Sequence, residues 1–594
     1  MTRFAARIAG LAGLAGLAGL AWLTPACGSP ARQFPLREPF VVDSDLQPVS
    51  VACRTEPASK PGAKSRTNCA PEEYVSPFVW DQVDNLVFAP LSRALSVERS
   101  GEAVNVNSLD EVPDSAWFTN RPRSSAAEAD ADAGAPGACT PDDVLPAARH
   151  VRAGGWTIDH GKDNGSTLGF RIKVPEKGTY MLKADDKGKP ERASAASVIG
   201  AAFYHAIGFN TSCEQIVELG KRQLVLTPGL KVVDNSGVSH PFDEAALDRV
   251  LASTTQVAGD LVRMQASKWL PGVALGPFRY IGTRPDDPND VVDHADRREL
   301  RGSRMLAAWL DHWDAREQNS MDVWMATDPS DAHSSPGYVV HYVLDTSDTL
   351  GGEVSVAEMS RRLGYSYDVD FGEIVSSLIT FGAVEKPWDR AKYVPGREKF
   401  GYYRPDDFEP NDWKPLYPNP AFARMTERDA AWMARLIARF SQRDIRRLVA
   451  LGRWRDPSDA EYVTGILIER QRRILVRYLS VLSPLGEVRT TGRDRICATD
   501  FARLRSIAPP ETFHYTVVER GGGRELELAA EAGDDGRLCF RPRPVVTGEP
   551  ADGAPAGRVR FEIRNGTAAG PLVIHGYDLG ARGVRVAGVT RPER

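Results

Sequence analysis

Short stretches in which hydrophobic and polar positions alternate predict strands in the part of the chain that follows Gly154. Four such stretches are present, at residues 167 to 174, 179 to 184, 215 to 219 and 223 to 227. Between the second and the third, a run of small apolar residues predicts a helix that begins near Pro190 and stops at Gly208. This pattern predicts a small sheet with one helix packed against it.

Farther along the chain the apolar positions recur with helical spacing. Leu306 and Trp309 fall on one face of a predicted helix, and Met433 and Ile437 fall on one face of another. Two predicted helix starts carry capping boxes, Thr426 with Asp429 and Ser458 with Glu461. We therefore expect a mainly helical region up to about residue 485.

Strand-like alternation returns in the last hundred residues. Val559, Phe561 and Ile563 alternate with charged residues, which is the pattern of a strand with one buried face. Further strands are predicted at residues 513 to 520, 524 to 530 and 572 to 577. Together they predict a small antiparallel β-sandwich over residues 493 to 594. The fold class expected for the whole chain is α+β.

Length and composition limit the number of domains and the class of partner. A chain of 594 residues is too long for one compact core, so two or three domains are expected. The net charge is −5, the isoelectric point is near 6.1, and no basic run is interleaved with aromatic residues. Nucleic acid is therefore not an expected partner.

The first 27 residues differ from the rest of the chain. Arg3 and Arg7 precede an apolar run over residues 8 to 23, and small residues follow before Cys27. This segment resembles a bacterial lipoprotein signal, which implies an exported chain anchored to the cell envelope by lipid on Cys27. An ordinary secretory signal that leaves Cys27 unmodified is the alternative.

Composition also divides the segment between this signal and the first predicted sheet. Residues 28 to 72 are rich in proline and polar residues and are expected to form a tether. Residues 73 to 121 are expected to pack on the main domain, although the Trp117 and Phe118 region could instead form a binding surface. Residues 122 to 150 lack periodicity and predict a disordered linker.

Cysteine usage favours an oxidising compartment. Seven cysteines are present, and if Cys27 carries lipid an even number remains. Sequence proximity favours three pairs, Cys53 with Cys69, Cys497 with Cys539 and, by remainder, Cys139 with Cys213. Six cysteines allow about 15 pairings, so other connectivities stay open.

Candidate chemistry is concentrated in residues 312 to 319, whose sequence is His-Trp-Asp-Ala-Arg-Glu-Gln-Asn. The segment lies between a predicted helix and a predicted strand, and it contains Asp314 and Asn319. A second strand some twenty residues later is followed by Asp345. Phosphoryl transfer needs a carboxylate near the attacking hydroxyl and an Asn and an Asp that hold metal ions. The pattern predicts a phosphotransfer centre.

The order of these parts resembles the protein-kinase-like fold. A hairpin, a strand lysine, a helix, two strands, helices, an Asp-x-x-x-x-Asn loop and a second aspartate follow each other in that order. The chain is similar in style to HipA-type and spore-coat CotH-type kinases, because the flanking signatures of ordinary protein kinases are missing. The resemblance implies a bilobal kinase-like domain over residues 151 to 485.

The resemblance also implies roles for the acidic residues. Asp314 would accept or orient the proton of the attacking hydroxyl, and Asn319 and Asp345 would ligate Mg²⁺ through oxygen. Asp322 and Asp348 are further acids nearby. Either could join the metal shell, and we expect both to stay in water.

The strand lysine of this fold matches Lys183, which would contact the phosphates of ATP. Glu191 is the candidate acid that would orient the lysine, and Glu214 and Glu218 stay open as alternatives because Glu191 follows so soon in the sequence. His312 precedes Asp314 as in the kinase catalytic loop.

A phosphate-covering loop is the poorest match to the family. Gly161, Gly165 and Gly169 are spaced four apart, which is not the usual kinase pattern. A glycine-bearing stretch before the hairpin could still bring backbone N–H groups to phosphates, and an ordinary turn explains the same glycines.

Two functions follow as hypotheses. The first is a membrane-tethered, kinase-like protein that binds a nucleotide and Mg²⁺ and transfers phosphate to a hydroxyl of a protein or small molecule. The second is an inactive, pseudokinase-like lipoprotein that binds a partner at the envelope.

Overall fold

The structure is a computed structural model. The residues that it describes are 34 to 50, 55, 56, 66, 67, 83 to 88, 91, 101 to 121, 137 to 162, 167 to 233, 238 to 331, 335 to 352, 357 to 406, 408 to 492, 494 to 543 and 557 to 593. Residues from Pro39 onward form a compact unit. The predictions for Cys27, Gly165, Cys53 and Cys69 lie outside the described residues.

A mixed sheet with a helix against it follows residue 150, as the alternation predicts. Its elements and the short strands beside it are β1 (Trp156–Gly161), β2 (Gly169–Val174), β3 (Gly178–Ala184), α1 (Arg192–Ile207), β4 (Asn210–Thr211), β5 (Glu214–Leu219), β6 (Leu224–Leu226), β7 (Lys231–Val233), β8 (Ser239–Pro241), α2 (Glu244–Ser253), β9 (Gln256–Ala258) and β10 (Leu261–Lys268). The strand order is β9-β10-β3-β2-β1-β6, and β5 also pairs with β10. Lys183 on β3 therefore lies between Gly169 on β2 and Gln265 on β10.

Helix α1 is fixed at both ends by residues close to it in sequence. The Asp185 carboxylate, two residues after Lys183, accepts hydrogen bonds from the backbone N–H groups of Glu191 and Ser194. Such a side chain satisfies donors that an α-helix leaves without partners at its start. Gly208 ends the helix at a φ of 142°, a conformation that favours glycine. The predicted helix is confirmed, with its first turn at Arg192.

A hairpin and a mainly helical region come next. Their elements are β11 (Val273–Ala274), α3 (Arg298–Leu310), β12 (Ser320–Ala326), β13 (Gly337–Val343), α4 (Ala357–Arg362), α5 (Phe371–Thr380), α6 (Pro420–Ala423), α7 (Glu427–Ile437), α8 (Gln442–Ala450) and α9 (Pro457–Tyr478). β12 and β13 pair antiparallel, and Leu306, Trp309, Met433 and Ile437 are fully buried in one core. The helical periodicity is confirmed.

One of the two capping boxes is confirmed. Thr426 and Asp429 exchange side-chain to backbone hydrogen bonds at the start of α7. The box at Ser458 is wrong, because Asp456 caps α9 by accepting from the Ser458 N–H, with Pro457 in the first turn.

Part of the segment that we expected to be a tether packs on the body. Val49 pairs with Gly337 of β13, and the buried Asp45 accepts a hydrogen bond from the backbone of Ala116. Trp117 lies beside Ala116 and stacks on His341, with ring centroids 3.5 Å apart. Phe118 packs against Phe209 and Trp432, so both aromatic side chains are buried within the protein.

Two antiparallel sheets end the chain. Their elements are β14 (Leu485–Thr491), β15 (Arg495–Asp500), α10 (Phe501–Leu504), β16 (Thr516–Gly521), β17 (Arg524–Leu528), β18 (Ala530–Ala532), β19 (Arg537–Phe540), β20 (Gly557–Arg564), β21 (Leu572–Asp578) and β22 (Val584–Thr590). The strand orders are β14-β15-β19-β18 and β17-β16-β20-β21-β22, and the sheets share one hydrophobic core. The first strand begins at Leu485, earlier than the predicted boundary at residue 493.

Disulfides join Cys139 to Cys213 and Cys497 to Cys539, as sequence proximity favours. Such bonds indicate an exported protein or an oxidising environment. Within the described part of the chain, the helices are too short or too polar to cross a bilayer.

Candidate functional site

Lys183 and Asp345 meet although they lie on different parts of the fold. The Lys183 Nζ atom is 2.8 Å from Oδ2 of Asp345, and the Ser347 hydroxyl donates to Oδ1 of Asp345 at 2.7 Å. Asp345 follows β13 with a φ of 43°, a left-handed conformation that turns the chain sharply after the strand. The predicted lysine and the predicted metal ligand therefore share one site.

Asp314 and Asn319 form the second half of the site. The Asn319 side-chain amide donates to Oδ2 of Asp314 at 2.9 Å and to its backbone oxygen at 2.8 Å. Arg316 lies on the other side, with Nε 2.9 Å from Oδ1 of Asp314. The backbone N–H of Leu344 donates to the Asn319 carbonyl oxygen, which ties this loop to the residue before Asp345. The five-residue spacing thus produces a closed loop with its carboxylate held in place.

Charge accumulates around these groups. Burial raises the pKa of Asp314 to about 6, and the nearby Asp345 adds to the shift while Arg316 opposes it. Burial and the charges of Asp314 and Asp345 raise the pKa of Asp348 to about 7. Burial alone would also raise the pKa of Asp345, but Lys183 holds it well below its ordinary value. Asp348, which we expected to stay in water, is part of the acidic group.

Asp322 is also buried rather than solvated, and it lies in a different network. Its carboxylate contacts Arg284 at 3.0 Å and His341 Nδ1 at 2.6 Å. His341 in turn stacks on Trp117. Asp322 therefore connects the hairpin to the N-terminal extension.

The acid beside Lys183 is Glu214 rather than Glu191. The Glu214 side chain on β5 accepts hydrogen bonds from Ser212 at 2.6 Å and Ser267 at 2.7 Å, and its charge acts on Lys183. The Glu191 carboxylate faces the side chains of Arg455 and Lys399 instead. Glu191 begins α1 immediately after the turn from β3, so its side chain points toward the helical region. Glu218 pairs with Arg453.

The segment after Asp345 is bound to helix α1. Thr346 Oγ1 donates to the carbonyl oxygen of Ser197 at 2.8 Å, and Thr349 Oγ1 donates to that of Ala196 at 3.1 Å. A Cβ at Gly200 would lie 2.7 Å from the Thr346 side chain, so glycine is required for this close packing. The two hydroxyl groups thus bind the segment that follows Asp345 to helix α1.

His312 is buried beneath the acids. Its Nδ1 atom is 2.9 Å from the hydroxyl oxygen of Tyr204 on α1. Burial lowers the pKa of His312 to about 4, so the ring is neutral at physiological pH. The neutral ring links the loop to α1 through Tyr204.

The glycine stretch brings a second lysine to the site. Lys162 directly follows β1, and its ammonium donates to the Thr167 carbonyl oxygen at 2.9 Å. Burial and the charge of Lys183 lower the pKa of Lys162 to about 8. Gly169 is required for packing, because a Cβ there would collide with the carbonyl oxygen of Leu182. Sequence reasoning missed Lys162, and a lysine beside a glycine between two strands was the available signal.

A cavity of about 250 Å³ opens beside Lys183, slightly below the usual range of about 300 to 1,000 Å³ for small-molecule sites. Its lining combines apolar side chains of the sheet and of the β12–β13 hairpin with polar groups of the site. The lining includes Met181, Lys183, Ser212, Glu214, Trp269, Leu270, Ala274, Asn319, Met321, Val323, Leu344 and Asp345. Such a cavity can hold the apolar part of a small molecule whose charged part lies near Lys183.

The residues present suit a metal-bound phosphate, judged by the chemistry of their donors. Carboxylate and amide oxygens are preferred by Mg²⁺, and a bound cation would stabilise the charged forms of Asp314 and Asp348, whose pKa values burial and neighbouring carboxylates raise. Asp345 and Asn319 could supply ligands. Within the described residues, however, no group of three or more His, Cys, Asp or Glu side chains is arranged as a ready-made metal site.

Comparisons with known proteins do not assign this chain to a family. No family model matches the chain, and neither a curated protein nor a solved structure matches it.

Proposed function

We propose that this chain is an exported, kinase-like phosphotransferase that binds ATP with Mg²⁺ and transfers phosphate to a hydroxyl of a protein or small molecule. The observation that carries the proposal is that Lys183, Asp345 and Asn319 line one largely apolar cavity, and that Asp314 is hydrogen-bonded to Asn319. These residues lie on three segments that are far apart in sequence, because Asp314 and Asn319 belong to one loop. A structural role for any one of them would not require all four to meet.

The cavity would bind the purine of ATP, and the charged residues would bind its phosphates. Met181 of the sheet and Met321 of the hairpin both line the cavity, where a purine ring would be buried. Lys183 and Lys162 would meet the phosphates as positive charges. Asp345 and Asn319 would hold Mg²⁺, which neutralises charge on the phosphates when bound.

Asp314 would act as the general base in the transfer step. The acceptor hydroxyl loses its proton to this carboxylate as its oxygen bonds to the γ-phosphorus, and the bond from that phosphorus to the bridging oxygen breaks, which leaves ADP. The Asn319 amide holds one carboxylate oxygen of Asp314 at 2.9 Å, so the acid is oriented before the substrate arrives.

Calorimetry of the chain with ATP in the presence and absence of Mg²⁺ tests the proposal. We expect metal-dependent binding that Asp345→Asn weakens at least tenfold, because the variant loses a metal ligand. Asp328→Asn is the matched control, since Asp328 is exposed on the loop between β12 and β13. If the wild-type chain binds no nucleotide with Mg²⁺, the proposal is wrong.

A partner-binding lipoprotein without catalysis is the second candidate. The disulfide bonds favour it, because they indicate a compartment outside the cytosol, where ATP is expected to be scarce. Nucleotide binding without phosphate transfer to any acceptor would support this candidate, and incorporation of labelled γ-phosphate into an acceptor would contradict it.

A further inference from the structure

Helix α5, over Phe371–Thr380, has its apolar side turned to solvent. Ile374, Val375, Leu378 and Ile379 recur at helical spacing and are each between 46% and 72% exposed. Phe381, directly after the helix, is 96% exposed. All ten residues of the helix are described, and none is buried. A surface helix of a globular protein normally buries such a stripe.

The polar side of the same helix faces the protein. Lys386 reaches it, and its ammonium donates to Glu373 at 2.6 Å and to the Ser376 hydroxyl at 3.0 Å. Ser377 and Thr380 are likewise half-buried. Glu373 is the charged residue of α5 and pairs with Lys386 on this side, whereas the exposed stripe consists of apolar side chains. The orientation of α5 is thus the reverse of that expected for a helix packed on a core.

We propose that the stripe formed by Phe371, Ile374, Val375, Leu378, Ile379 and Phe381 inserts into the interface of a lipid bilayer. A helix of this kind lies in the plane of a membrane with its apolar side among the acyl chains and its polar side toward the protein. The segment before Cys27 resembles a lipoprotein signal, and the lipid on Cys27 that this resemblance implies would hold the chain near such a surface. The inference does not depend on the proposed phosphotransfer.

The size of the surface favours a bilayer over a second copy of the chain. A ten-residue helix is about 15 Å long and about 10 Å wide, so two copies would bury on the order of 300 Å². A stable protein interface buries about 1,200 Å² or more and needs complementary shapes. Insertion into lipid needs neither, since acyl chains adapt to the stripe.

Sedimentation with vesicles of phosphatidylethanolamine and phosphatidylglycerol tests the proposal. The test uses residues 39 to 594, which form a compact unit and lack the apolar leader. We expect this unit to bind the vesicles and the double variant Leu378→Ser, Ile379→Ser to bind at least tenfold more weakly. The matched control is Val104→Ser, Val291→Ser, which removes two exposed apolar side chains elsewhere and should bind as the wild type does.

Two further measurements separate a loss of vesicle binding from a loss of folding. Hydrogen exchange of residues 371 to 384 should slow when vesicles are added, and circular dichroism should show that both double variants unfold at the wild-type temperature. Absence of vesicle binding by the wild-type unit would overturn the proposal. So would equal binding by the Leu378→Ser, Ile379→Ser variant, or a dimer in sedimentation equilibrium that this variant dissolves.

Discussion

The Lys183 ammonium and the Asp345 carboxylate form an ion pair at 2.8 Å although 162 residues separate them in the chain. Lys183 extends from a central strand of the first sheet, and Asp345 follows a strand of the β12–β13 hairpin. Both side chains line the same cavity. The pair joins the first sheet to the β12–β13 hairpin.

Glu214 rather than Glu191 should control the position of Lys183. We expect Glu214→Gln to weaken binding of Mg²⁺ and ATP about tenfold, because the variant removes the negative charge beside the lysine. Glu191→Gln is the matched control and should leave nucleotide affinity unchanged, since its carboxylate faces Arg455 and Lys399. Calorimetry measures both. The reverse order of effects would show that the strand acid does not support the lysine.

Asp314 should matter for the reaction step more than for binding. Asp314→Asn keeps the size of the side chain but cannot accept a proton, so we expect phosphate transfer to fall by about 10² to 10⁴ while nucleotide affinity changes less than threefold. The readout is transfer of labelled γ-phosphate under single-turnover conditions, with Asp328→Asn as the control. Full activity of Asp314→Asn would assign the proton to another group.

Asp45 should make the folded state less stable as pH rises. Burial, with a contribution from Asp43, raises the pKa of Asp45 to about 7. The pKa of an aspartate in an unfolded chain is about 3.9. Between about pH 4 and pH 7 the unfolded chain releases its proton first, so the free energy of unfolding falls.

Asp45→Asn removes this titration and keeps an acceptor for the Ala116 N–H. At pH 8 we expect the variant to be more stable than the wild type by on the order of 3 kcal/mol, and at pH 4 the difference should largely vanish. Chemical denaturation followed by circular dichroism measures both. A constant difference across this pH range would mean that Asp45 does not titrate with a raised pKa.

The two described disulfides should affect binding differently. Replacing Cys139 and Cys213 by alanine opens a loop whose ends are 74 residues apart, and we expect the free energy of unfolding to fall by about 2 to 4 kcal/mol. Nucleotide affinity should also weaken, because Cys213 directly precedes Glu214. Replacing Cys497 and Cys539 is the control, since this pair lies within the C-terminal sheets. Calorimetry should show unchanged nucleotide affinity for the control variant.

Local patterns were enough to predict many elements. The hairpin of β2 and β3, helix α1, the buried faces of α3 and α7 and the cap at Thr426 follow from periodicity and from groups a few residues apart. The cap at Ser458 was misplaced because Asp456, just before it, offers an equivalent carboxylate. Choices between neighbouring polar residues of this kind depend on the geometry of the turn.

The arrangement of the site was predicted in part. The spacing of Asp314 and Asn319 identified a loop, but the sequence left the acid beside Lys183 open and placed Asp322 and Asp348 in water. The structure assigns the three to different surroundings, since Glu214 lies beside the lysine, Asp322 pairs with Arg284, and Asp348 joins the acids. Pairing between β5 and β10 brings Glu214 to the lysine, and strand pairing of this range carries no local signal.

By itself, the sequence determined the α+β class, the order of the elements and a short set of candidate residues, because these depend on periodicity and on spacing within single segments. Tertiary structure alone decided that Lys183 meets Asp345, that Lys162 joins them and that α5 turns its apolar side outward. Contacts between distant segments depend on how sheets and helices pack together. This packing decides which side chains are buried, and burial with nearby charges then shifts their pKa values.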